Sequence, residues 1–219
     1  ARVSPAGTRA AVLGALGKGW VVRTRPTSKR SLDGDWSPSG EHLAIAGYNG
    51  SLQFFRDAKD QSPVTLTGHH TKYPITGVAF AGEERVISVG IDQTMRIWQP
   101  AQGNTPLTVP LAGQASMLDL SSDGRRALIA THVSNTEGSQ RLTKGPYLAQ
   151  VRSTVDGSPI ANPMDHKGMI LGAAISSDGL IAATVTSDYI PRLWRVDDSS
   201  LIAECRGNDV NRSGSVPHI

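Results

Sequence analysis

The sequence predicts an all-β fold assembled from repeated, short-stranded units, and three observations carry that prediction. The 219 residues include 23 Gly and 13 Pro with only 19% charged residues, a composition of many turns, not of long helices. The apolar stretches are runs of about three to five residues bounded by Gly, Asp or Asn, too short for helices and suited to buried strands. One turn pattern recurs along the whole chain.

The recurring turn follows a short apolar strand and reads Val3-Ser4-Pro5-Ala6-Gly7, Trp36-Ser37-Pro38-Ser39-Gly40, Phe80-Ala81-Gly82-Glu83-Glu84, Leu120-Ser121-Ser122-Asp123-Gly124 and Ile175-Ser176-Ser177-Asp178-Gly179. Between the leading apolar residues the steps are 33, 44, 40 and 55 residues. Four strands of about five residues with short loops occupy about 40 to 45 residues, the size of one propeller blade. The long step fits a loop insertion at His132 to Gly145, rich in Ser, Asn, Thr and Gly. The short step implies a truncated first unit.

Second strands are expected at Ala11–Leu13, Leu43–Ala46, Val86–Val89, Ala127–Ala130 and Ile181–Val185. A third strand with looser alternation is expected at Thr94–Trp98. Outer strands are expected at Pro63–Thr67, Leu107–Leu111, Pro159–Ala161 and Leu201–Cys205, where the prolines suit an edge. The units then span about 1–30, 31–70, 71–114, 115–165 and 166–207, with 208–219 opening a further unit or forming a tail.

Two units share a polar signature. One holds Gly68-His69, Ser88, Asp92 and Ile97-Trp98; the other holds His166, Thr184, Asp188 and Leu193-Trp194. In both, Asp precedes Trp by six residues and follows the hydroxyl residue by four. These residues resemble the WD40-repeat family, although Gln99 and Arg195 stand where its final Asp belongs, and Asp165 replaces the Gly before His166. The resemblance implies a WD40-type β-propeller of about five blades or part-blades, within a ring of up to seven. It also implies a hydrogen-bonded chain from Asp to His to Ser or Thr to the Trp indole: Asp92, His69, Ser88 and Trp98 in one unit, Asp188, His166, Thr184 and Trp194 in the other.

No catalytic residue is expected. Ser88 and Thr184 lie inside apolar strands, whereas a nucleophile must be exposed beside a base and an oxyanion hole. Gly14 to Gly19 lacks the spacing and the following helix of a phosphate loop. The six His make no HExxH and Cys205 is alone, so neither a metal site, another cofactor nor a disulfide framework is expected. The net charge is +3, which makes nucleic acid a secondary prospect, centred on Arg23, Arg25, Lys29 and Arg30. No apolar run reaches the roughly 18 residues of a membrane helix, and the lone Cys205 suits the cytoplasm.

The expected function is a non-catalytic protein-interaction scaffold, implied by the family resemblance. The alternative is a regulatory or sensor propeller within a larger multidomain enzyme; a propeller hydrolase would need carboxylates clustered at the central channel. The chain is expected to be a fragment of a longer propeller protein. Since the His loops and the turns between second and third strands share one end, the partner face is expected to gather Tyr48, Lys72, Tyr73, Ile91, Gln93, Met169 and Tyr189, with Arg141 and Lys144 from the insertion.

Overall fold

A computed structural model describes residues 31–57, 63–133 and 145–205. Among these, sixteen strands form four antiparallel four-stranded sheets, each running in chain order from first strand to fourth. The first sheet is β1 (Ser31–Trp36), β2 (Leu43–Gly47), β3 (Ser51–Phe55) and β4 (Val64–Thr67). The second is β5 (Ile75–Phe80), β6 (Val86–Gly90), β7 (Thr94–Trp98) and β8 (Leu107–Pro110). The third is β9 (Gln114–Leu120), β10 (Arg126–His132), β11 (Tyr147–Ser153) and β12 (Met164–His166). The fourth is β13 (Ile170–Ile175), β14 (Ile181–Thr186), β15 (Pro191–Arg195) and β16 (Leu201–Glu204). The unit expected at 1–30, the Gly14–Gly19 turn and the segment 208–219 lie outside the described residues.

Successive sheets stack as propeller blades. β1 lies against β5, β5 against β9 and β9 against β13, while β2, β6 and β10 reach the first strand of the following sheet. The sequence explains the stacking, because the strands are apolar on both faces. In the second sheet, Val78, Phe80, Val86 and Trp98 pack with Ala44, Leu52, Phe54 and Leu66 of the first. Its other face sends Ile87, Val89, Met95 and Ile97 into a cluster with Ala115, Ala127 and Ile129 of the third. β6 is buried along its whole length, as a central strand covered on both sides must be. Among the described residues, the fourth sheet packs only one face: Ala182 and Trp194 join the third sheet's core, whereas Ala183, Val185, Pro191 and Leu193 on the opposite face are half-buried and Ile181 is exposed.

The recurring turn is a serine device. The N–H groups of Gly40, Gly124 and Gly179 donate to the carbonyls of Ser37, Ser121 and Ser176 at 2.8, 2.9 and 2.9 Å. Each serine Oγ then accepts the N–H five residues on, from His42, Arg126 and Ile181. Asp123 and Asp178 brace two of these turns by accepting both the serine O–H and the N–H two residues on. The side chain thereby satisfies the donors that start the second strand.

The outer strand of the third sheet differs from expectation. It is Met164–His166, and the Pro159–Ala161 segment contributes one isolated bridge, Arg152 to Pro159, plus the Ile160 N–H to Val151 carbonyl bond. Prolines at 159 and 163 remove two ladder donors, which divides the edge into two pieces.

At the end opposite the serine turns, the second and third strands join through tight turns whose fourth residue is left-handed: Gly50 at φ 70°, Gln93 at φ 62° and Tyr189 at φ 60°. Gly50 is also a close approach, since a Cβ there would sit 2.6 Å from the His70 carbonyl oxygen and 3.1 Å from that of Tyr73. Left-handed backbone costs a non-glycine residue about 1 to 2 kcal/mol, and the backbone clash adds to it. Gly50→Ala is therefore expected to lower the chemical-denaturation midpoint clearly. Gln93→Gly, read in the same assay, should be neutral or stabilising.

Candidate functional site

The polar signature of the second sheet assembles where the loop after β4 crosses onto β6 and β7. Trp98 Nε1 donates to Ser88 Oγ at 2.8 Å, and Ser88 Oγ lies 2.7 Å from His69 Nε2. The indole N–H is donor-only, so the serine accepts it and directs its own proton to Nε2. The His69 proton then sits on Nδ1, which donates to the Asp92 carboxylate at 2.9 and 3.0 Å. Asp92 also accepts the His70 N–H at 3.0 Å, the Thr94 N–H at 3.2 Å and the Thr94 O–H at 2.8 Å. Burial works against the charged form of Asp92, but the hydrogen bonds from His69, helped by the His70 N–H and Thr94, hold its carboxyl well below the usual carboxylate range. Gly68 makes the crossing possible, since a Cβ there would lie 2.9 Å from the Trp98 ring and 3.0 Å from the Arg96 guanidinium.

The fourth sheet repeats half of this chain. Trp194 Nε1 donates to Thr184 Oγ1 at 2.8 Å, and Thr184 Oγ1 lies 2.8 Å from His166 Nε2. The expected Asp188 to His166 bond is corrected here: His166 Nδ1 donates to the Met164 carbonyl at 2.9 Å. Asp188 instead accepts from the Thr186 hydroxyl at 2.6 Å and from the Arg192 guanidinium at 2.5 and 3.2 Å. The cause is local. His166 ends β12 itself and reaches β13 in four residues, whereas His69 stands beyond β4 and reaches β5 in six. Arg192 holds the Asp188 carboxyl far below its usual range. Desolvation by burial, with the Arg192 charge, pushes the His166 imidazole below its ordinary value against the opposing pull of the Met164 carbonyl.

Three carboxylates that sequence reasoning missed sit on first strands. Asp33 and Asp35 of β1 accept the N–H groups of Val78 and Phe80 on β5 at 2.9 and 2.8 Å. Asp119 of β9 accepts the Ile175 N–H on β13 at 2.9 Å. The available signal was the placement of Asp35 and Asp119 one residue before the last apolar residue of their strands. Carboxylates bonded to the backbone of the next sheet act as ties between sheets.

The end carrying the His loops gathers exposed tyrosines, whereas the exposed Leu107, Val155, Leu180, Ile181 and Leu201 stand toward the serine-turn end. Tyr48, Tyr73, Met169 and Tyr189 are 52%, 45%, 48% and 78% exposed. The His70 and Tyr73 rings lie 5.0 Å apart, tilted by 47°, beside the Gly50 turn. Lys72 and Gln93 are exposed and Ile91 half-buried on the same end. Arg141 and Lys144 lie outside the described residues, within the connection from β10 to β11.

Trp98→Ala is expected to cost about 3 to 5 kcal/mol, as removal of a fully buried ring does. Asp92→Ala should cost about 1 to 3 kcal/mol by leaving the buried His69 N–H without its acceptor. Asp188→Ala, at an exposed ion pair, should shift the urea midpoint less than Asp92→Ala does. His166 supplies a pH test. Its folded-state value is depressed, so the unfolded chain takes up its proton first; stability is full above about pH 6.5 and falls as the pH drops from there. His132 is depressed by burial as well. Replacing His166 with Gln should flatten, without abolishing, the decline in denaturation midpoint between about pH 7 and 5.

Residues 61–99, which hold β4 to β7 and the complete His69 chain, match the family described as WD domain, G-beta repeat. The chain is 27% identical to pre-mRNA-processing factor 19 homolog 2 of Arabidopsis thaliana over 174 residues, covering 78% of this chain and 31% of that protein. It is 34% identical to the peroxisomal targeting signal 2 receptor of Mus musculus over 80 residues, covering 35% of this chain and 25% of that protein. It is 22% identical to ribosome biogenesis protein ytm1 of Aspergillus terreus, covering 84% of this chain and 45% of that protein. The chain thus spans less than half the length of each of these relatives. With the repeated four-stranded sheets and the His, hydroxyl and Trp chains linking them, these matches place the chain in the WD40-repeat family.

Proposed function

We propose that the chain is a non-catalytic protein-interaction scaffold, with its partner seated on the end that carries the His loops and the Gly50, Gln93 and Tyr189 turns. The observation that carries this reading is the division of labour between burial and exposure. The hydroxyl and imidazole groups of the two polar signatures are consumed in the interior, since His69, Ser88, His166 and Thr184 are all buried. The large groups suited to recognition, Tyr48, Tyr73, Met169 and Tyr189, stand exposed at one end of rigid sheets. The relatives named for pre-mRNA processing, targeting-signal reception and ribosome biogenesis support a binding role. No helix among the described residues is long and apolar enough to cross a membrane; the cytoplasm is the proposed location, in keeping with the lone Cys205.

Photo-crosslinking residues placed at Tyr73 and Tyr189 in the full chain, and at Ser39 and Asp123 on the opposite end, test the placement in source cells. Crosslinks to a partner protein are expected from the first pair and not from the second. Tyr73→Ala with Tyr189→Ala, or Arg141→Glu with Lys144→Glu, should weaken binding of that partner about tenfold or more with an unchanged melting transition. A partner crosslinked only from Ser39 and Asp123 would overturn the assignment.

A further inference from the structure

We propose that Asn49 is a self-modification site, at which the Gly50 backbone nitrogen displaces ammonia from the side-chain amide and water then leaves a carboxylate in its place. The turn from β2 to β3 matches the turn from β6 to β7 residue for residue: Gly47, Asn49, Gly50 and Ser51 correspond to Gly90, Asp92, Gln93 and Thr94. In both, the N–H of the left-handed residue donates to the glycine carbonyl at 3.3 Å. In both, the hydroxyl two residues on donates to the side-chain oxygen at 2.8 Å, Ser51 to Asn49 Oδ1 and Thr94 to Asp92 Oδ1. The fourth sheet places Asp188 at the same position, directly before the left-handed Tyr189. Asn49 therefore occupies a seat that holds a carboxylate in the second and fourth sheets.

The surroundings of the amide favour the conversion. Gly50 has no side chain to shield its nitrogen, and its N–H is held by a long bond. The Ser51 hydroxyl draws electron density from Asn49 Cγ and stabilises the oxyanion that develops on Oδ1 as the nitrogen attacks. Gly47 keeps the pair in place, since a Cβ there would lie 2.9 Å from Asn49 Oδ1 and 2.8 Å from Ser51 Oγ. The step balances without an oxidant or cofactor. The bond from Gly50 N to Asn49 Cγ forms, the Cγ–Nδ2 bond breaks, and the Gly50 proton departs with Nδ2 as ammonia. Water opens the resulting five-membered imide; opening at Cγ restores the Gly50 N–H and leaves aspartate, the residue that the matching seat accepts at Asp92. Asn104 and Asn162 are more exposed than Asn49 but precede Thr105 and Pro163. The β-branch of threonine crowds the attacking nitrogen, and proline has no N–H to lose. The new charge would stand beside the exposed Tyr48, although the chemistry does not rest on the partner face.

The test incubates the full chain in neutral and mildly alkaline buffer and follows conversion at each Asn by peptide mapping with mass spectrometry. Asn49 is expected to convert first, faster at the higher pH because the deprotonated nitrogen attacks, while Asn104 and Asn162 persist. Ser51→Ala should slow conversion of the folded chain about fivefold, the rate equivalent of one net hydrogen bond, and leave the rate in urea unchanged. Ser51→Thr, which supplies the hydroxyl found at Thr94, should restore it. Asn49→Asp should keep the parent melting transition. Persistence of Asn49, equal conversion at Asn104, or a folded Ser51→Ala chain that converts at the parent rate overturns the assignment. The comparison of Asn49 with Asn104 needs no variant, so it decides the matter even where Ser51→Ala fails to fold. The partner crosslinks fail or succeed independently of all these results.

Discussion

A four-stranded sheet that is apolar on both faces cannot stand alone in water, and each of the first three described sheets depends on the one that follows. Ile87, Val89, Met95 and Ile97 are near-completely buried because the third sheet covers them. Each such side chain contributes about 1.5 to 3 kcal/mol relative to exposure, so one shared face outweighs any single hydrogen bond in the molecule. The same positions in the fourth sheet, Ala183, Val185, Pro191 and Leu193, are smaller or interrupted by proline and only half-buried. Stability therefore resides in the contacts between repeats, as in other repeat architectures.

Apolar stacking is nonspecific about rotation and offset, and the polar ties supply that specificity. Asp33, Asp35 and Asp119 fix the first strand of one sheet against the backbone of the next. At the outer edge, His69 fixes the strand that closes one sheet to the hydroxyl and indole of its successor. A buried group in such a chain is costly unless every member is satisfied, so the geometry is held at discrete positions, not along a continuum. The result is a stack whose exposed turns keep fixed spacing, a precondition for a surface that recognises one shape.

Much of this was legible in the sequence because it depends on local chemistry. The serine turns, the short central strands of β2, β6, β10 and β14, and the register of Ser88 with Thr184 and of Trp98 with Trp194 all follow from residues close in sequence. What could not be read depends on competition between alternatives of similar energy. Asp92 and Asp188 have the same spacing to Trp and the same Arg four residues on, yet a connection two residues shorter sends His166 to its own strand's carbonyl and Asp188 to Arg192. The outer strand of the third sheet was misplaced for a related reason: both candidate segments adjoin a proline, and pairing with Tyr147 to Ala149 selects Met164–His166. The carboxylate ties between first strands escaped notice because their acceptors and donors are more than 40 residues apart.

The left-handed turn position shows how such a scaffold separates folding from recognition. Gly50 occupies it in the first sheet, where the approaching His70 carbonyl leaves no room for a side chain. Gln93 and Tyr189 occupy it in the second and fourth, at a backbone cost of about 1 kcal/mol that glycine avoids. Tyr189 is 78% exposed, so its ring buries little apolar surface within the fold to offset that cost. A large aromatic side chain retained where the backbone favours glycine, on the end that gathers the exposed tyrosines, has no account in the core and is what the proposed partner contact would use.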